Sequence, residues 1–177
     1  MLQPQISDPD SQLIDGCLHC MRQCERLLQS LSDENYTHTG SGSSVGAHMR
    51  HVLERFQSLF DGLQGDVIDY DARKRDRDIE RDRHAALSVL ADLVCGISGL
   101  GSDIHRRVRV QESVNHLGPA VTIHSSVSRE LMSLITHTTH HLAIIALLVK
   151  PFGVNMGPEF GKAASTIRFE NGSKIPA

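Results

Sequence analysis

From residue 126 to residue 149 the chain runs for more than six helical turns with neither glycine nor proline, and Pro151 and Gly153 then stop it. That predicts one long helix. Three other segments carry apolar residues at helical spacing. The first opens after Asp8-Pro9-Asp10-Ser11, good N-cap chemistry, and places Leu13, Cys17, Cys20, Cys24, Leu27, Leu28 and Leu31 on one stripe before stopping near Asp33. The second starts at Ser43 or Ser44, either of which suits an N-cap. Its stripe is Val45, Met49, Val52, Phe56, Leu59 and Leu63, and Gly62 and Gly65 end it. The third begins between Ala72 and Asp76 and regains apolar spacing at Leu87, Leu90, Val94, Ile97 and Leu100. Four such helices predict an all-α fold, an antiparallel four-helix bundle with long second and third connections.

The connections differ in character. Residues 35–44 read as a loop, and Asp66, Asp69, Tyr70 and Asp71 lie in a linker. Val108 and Val110 alternate with arginines, and Val121 and Ile123 alternate with Thr122 and His124, around Asn115-His116-Leu117-Gly118-Pro119. This predicts a short β-hairpin or an extended excursion between the third and fourth helices. The tail, residues 155–177, is expected to wrap over the bundle surface.

With 177 residues the chain fits one domain and can bury a core without disulfides or a structural metal. Trp is absent and aromatics make up only 4%, so the core must be aliphatic. Residues 73–83 interleave six basic and four acidic side chains. Because the acids nearly cancel the bases, this segment reads as a solvated helical face laced with ion pairs. The net charge of −3 likewise argues against nucleic acid or an anionic membrane as the main partner. Residues 1–5 have neither a basic nor an apolar stretch, so no signal peptide is expected. The longest uninterrupted apolar run, residues 142–149, is too short to span a bilayer. The expected location is cytoplasmic.

Histidine is over-used, at 11 residues. His137 and His141 stand four apart inside the long last helix, so they share one face roughly 5–6 Å apart and can chelate one ion. No Glu lies between them, which removes the helical zinc-protease reading. A divalent ion with a catalytic role usually takes three protein ligands and keeps a position for water. The third has to come from a facing helix, and the second helix offers His48 and His51. Apolar periodicity slightly favours His48, nearer the centre of the stripe; His51 lies toward an edge that would open on a cleft. A lone histidine on a core face is more often hydrogen-bonded than metal-bound. A pair with a third on a facing helix is harder to reach by chance, and bundles do house metals.

The run Ser44-Val45-Gly46-Ala47-His48-Met49-Arg50-His51-Val52, followed far downstream by His137-x-x-x-His141, resembles the DinB-like (DinB/YfiT-like) metal-binding four-helix bundles. The resemblance covers roughly residues 10–150. In that family the ligand histidine of the second helix precedes an apolar residue, a slot that His51-Val52 matches, whereas His48 comes one turn early. The His-x-x-x-His pair is often followed there by Arg-Gly-Gln; here Leu142-Ala143-Ile144 follows. The resemblance implies a divalent ion, zinc or nickel foremost, held by His51, His137 and His141. Members include thiol-dependent transferases and isomerases. A metal-dependent hydrolase or thiol transferase acting on a small molecule, a thiol among the candidates, is therefore expected. A non-catalytic bundle that keeps the metal for stability, or binds only a ligand or partner, stays open beside it, as does a homodimer. Three neutral imidazoles leave the ion's charge uncompensated, so a bound water turns acidic or a bound thiol loses its proton.

Three further expectations concern single residues. Cys17, Cys20 and Cys24 follow the apolar stripe and read as small buried core residues rather than half a zinc site. His140 is expected to face away from the pair or to stand beside it. Glu130 lies two turns before His137 on the same face and reads as a surface residue, with acid–base work the less favoured role. His19, His38, His84, His105, His116 and His124 are scattered and carry no assignment.

Overall fold

The structure is a computed structural model and describes residues 8–40 and 42–172. The opening residues, on which the signal-peptide expectation rests, and residues 173–177 of the tail lie outside the described residues. The chain is mostly helical, with a small three-stranded sheet. Helix α1 (Pro9–Ser30) starts where the caps place it: Asp8 accepts the Ser11 amide, and Pro9 takes a first-turn position that needs no N–H. Helix α3 (Val45–Leu63) is capped by Ser44, whose hydroxyl accepts the Ala47 amide at 3.0 Å. Helix α6 (Val127–Val149) is capped by Ser126. Beyond it a 3-10 turn at Lys150–Phe152 ends on Gly153, in the left-handed region at φ 70°.

Three expectations need correction. The loop after α1 contains a short helix, α2 (Asp33–Thr37), capped by Ser32 and anchored by the buried Tyr36, whose hydroxyl donates to the Ile79 carbonyl at 2.6 Å. The linker after α3 contains a strand, β1 (Val67–Asp69). The third helix does not start between Ala72 and Asp76: Asp76 is its N-cap. Residues 72–76 are not helical, and two helices follow, α4 (Arg77–Arg81) and α5 (Arg83–Ser98). Asp82 separates them: in extended backbone, its carboxylate accepts the His84 amide and caps α5. An aspartate competes with the helical backbone for its own amides, so an Asp-rich run breaks where a cap is available.

The predicted hairpin forms from β2 (Arg107–Glu112) and β3 (Val121–Ser126), antiparallel with Val110 opposite Ile123. β1 pairs in parallel with the other edge of β2, giving the order β1-β2-β3. A last short helix, α7 (Ala164–Glu170), lies in the tail. Just before it Phe160 is buried and the Gly161 amide donates to Gln23 in α1 at 2.9 Å, which ties the tail to the helices.

The four longest helices pack in a closed circuit: α1 against α5 and α6, and α3 against α5 and α6. Their apolar stripes merge into one aliphatic core in which Cys17, Cys20 and Cys24 are buried as expected. Burial raises the Cys17 thiol to about 12 and the Cys20 thiol to about 11, so neither is a ready thiolate at neutral pH. The segment Val127–Phe152 is long and apolar enough to cross a membrane by length and composition, which the eight-residue run alone did not suggest. It packs against α1 and α3.

Gly46 fixes how α4 meets α3. A Cβ there would stand 2.0 Å from the Glu80 carbonyl oxygen and 3.0 Å from Tyr36. The obstacle is backbone, so no rotamer relieves it. Gly46→Ala should therefore lose roughly 2 kcal/mol or more by overpacking, against the ~1 kcal/mol that Ala otherwise gains over Gly in a helix. Urea denaturation checks the sign: a variant as stable as the parent would mean that α4 is not held this tightly.

Candidate metal centre

The site lies between α3 and α6. A helix places residues four apart on one face, which brings His137 and His141 together with ring centroids 4.6 Å apart. His51 approaches from α3, its ring 4.9 Å from that of His137 and 4.7 Å from that of His141. One ring nitrogen from each of the three lies within 4.8 Å of the other two. All three side chains are half-buried. Among the described residues no further His, Cys, Asp or Glu joins this group. The spacing and donor set fit a divalent ion: neutral imidazoles are its commonest ligands. His137 Nε2 is also shut away from water with no hydrogen-bond partner, a vacancy that a ligated cation would satisfy.

His48 does not belong to the three. Its Nδ1 lies 2.9 Å from Nδ1 of His141, so one ring donates to the other. When His141 is the donor, its Nε2 keeps a bare lone pair and its ring is held in place, the usual duty of a group one step behind a ligand. His140 is exposed and touches only the edge of His141, as expected. His137 also lines an open groove along α6 with Arg129, Met132, Ser133, Thr136 and His140.

Electrostatically the site favours neutral rings. Burial, then Arg73, His137, His141 and Arg55, lower the His51 pKa to about 3. Burial, then Arg55, His140 and Arg73, lower His137 to about 4. Burial, then His137, His48, His140 and Arg55, lower His141 to about 4. Each ring therefore presents a lone pair rather than a second proton at neutral pH.

Several residues around the site were not anticipated. Arg73 does not lie on a solvated helical face: its Nη1 donates to His51 Nδ1 and its Nε to the Tyr70 carbonyl at 3.1 Å. Elsewhere in the charged run ion pairs do form, Arg50 with Glu80 and Arg83 with Asp33. Arg55 is buried, paired with Glu112 at 2.5 Å and stacked 4.0 Å over the Tyr70 ring. Glu130 is buried rather than on the surface: Tyr70 donates to it at 2.9 Å and Ser125 at 2.6 Å. The segment after β1, 60 residues away, and the end of β3, five residues before it, cover it. The carboxylate is thus held by two hydroxyls.

Comparison of the chain with family models, with curated proteins and with solved structures gave no match.

Proposed function

We propose that the chain is a DinB-like four-helix bundle, built on α1, α3, α5 and α6, that holds one divalent ion through His51, His137 and His141. Its activity in this reading is metal-dependent hydrolysis or thiol transfer on a small molecule. The observation that carries the proposal is the convergence of three neutral imidazoles from two helices on one point, with His137 Nε2 buried and unpartnered. Three ligands with no fourth donor joining them among the described residues suit a centre that keeps a position for water or substrate. When bound, the ion would supply Lewis-acid activation of a water or a thiol. The chain's own contribution is to hold the rings neutral and oriented, His141 through His48. The α1 thiols are buried and protonated, so none of the three supplies a ready reacting thiol.

Elemental analysis tests the reading. Close to one zinc or nickel per chain is expected after purification. His137→Ala should lose most of it, because α6 would then offer one ligand instead of a chelating pair. Full metal retention in that variant would overturn the assignment.

A further inference from the structure

The contact between Arg73 and His51 has a chemical consequence for an ion bound at the three histidines. A neutral imidazole has one N–H and one bare lone pair, and a guanidinium only donates. Arg73 Nη1 therefore uses the lone pair of His51 at Nδ1 and leaves the proton on Nε2. A metal needs that same single lone pair. Ligation through Nδ1 displaces Arg73 directly; ligation through Nε2 moves the proton to Nδ1, which then no longer accepts. The hydrogen bond from Arg73 and ligation by His51 exclude one another.

On metal loading the Arg73 guanidinium is thus set free beside a doubly charged ion. It is half-buried, with Arg75, Arg55 and Arg50 near enough to repel its charge and Glu54 near enough to offset part of that repulsion. Among the described residues no carboxylate lies within ion-pair distance of it. Its link to the Tyr70 carbonyl through Nε leaves the two terminal nitrogens available. The other arginine whose charge reaches the three rings, Arg55, already has Glu112. Two positive groups held side by side in a half-buried site favour an anion between them.

We propose that the site binds small molecules through an oxyanion, a carboxylate or phosphate, that bridges the ion and the guanidinium of Arg73. This inference rests on the three-histidine metal site and goes beyond it by naming the class of ligand. Arg73 is then both the competitor that leaves His51 when the ion arrives and the donor that orients the ligand. A planar fork of N–H groups suits two oxygens of one carboxylate or phosphate.

The full chain loaded with cobalt(II) gives a visible spectrum that reports directly on the open coordination position. Titration of the wild type with acetate and, separately, with inorganic phosphate should shift that spectrum saturably, the tighter of the two identifying the oxyanion. Arg73→Gln should weaken this anion by roughly tenfold or more, the worth of a charge-assisted hydrogen bond, and Arg73→Lys should recover part of the loss. The same Arg73→Gln protein should bind cobalt at least as tightly as the wild type, because a competitor for His51 is gone. Equal anion affinity in wild type and Arg73→Gln would overturn the inference and place the freed guanidinium on Glu54, whose buried Oε2 has no partner. A tenfold loss of cobalt affinity in Arg73→Gln would also overturn it, since Arg73 would then support the ligands rather than compete with them. A wild-type chain that takes up no cobalt overturns this inference together with the metal site; one that takes up cobalt but ignores Arg73 overturns this inference alone.

Discussion

His51→Ala is expected to abolish binding of the divalent ion, and His48→Ala to weaken it by roughly ten- to a hundredfold. The two residues sit three apart on α3, so both approach α6, and they approach it differently. His51 faces both members of the α6 pair with its ring and contributes a nitrogen to the three-way group. His48 meets only the Nδ1 of His141. Losing His51 removes a ligand. Losing His48 frees the His141 ring to rotate and removes the acceptor that favours a bare Nε2. A metal titration of the two variants checks the ranking; the reverse order would make His48 the ligand and His51 the helper.

Chelating the ion should lower the melting temperature by roughly 10 °C while leaving helical circular dichroism largely intact. An ion present at a thousand times its dissociation constant stabilises the folded state by about 4 kcal/mol, and a domain of this size shifts by about 2–4 °C per kcal/mol. The core that remains does not involve the site: Leu27, Leu53, Phe56, Leu59, Leu131 and Ile145 are fully buried without it. Collapse to random coil on chelation would instead make the ion structural. The metal-free protein should also be acid-sensitive in a defined direction. His51, His137 and His141 titrate at about 3 and about 4 in the fold but near 6.5 when unfolded, so between those values the unfolded chain holds more protons. Stability from these groups is complete above about pH 6.5 and is lost as pH falls toward 4.

Local signals made much of this legible. Asp8, Ser44 and Ser126 cap the helices they precede because capping is decided within three residues. The β2–β3 hairpin followed from alternation around a turn-forming run. The His137–His141 pair needed only the helical repeat. What escaped depends on distant partners. β1 has three residues, too few to show a period, and becomes a strand only because β2 pairs with it. Arg73 looked like one more charge in a run, and its place beside His51 is set by the non-helical backbone of residues 72–76 between β1 and α4. Asp76 is the anchor of that segment, its amide donating to Glu54 at 2.6 Å. Glu130 read as surface because the Tyr70 that covers it lies 60 residues away. His48 and His51 share one helical face, and apolar periodicity leaned slightly to His48; the rings on the opposing helix instead group with His51.

X-ray absorption at the edge of the bound metal tests the central claim most directly. The account predicts three imidazole nitrogens at about 2.0–2.1 Å with one or more oxygen donors filling the open position. In protein freed of small-molecule thiols, sulfur in the coordination sphere, or fewer than three imidazoles, would contradict it.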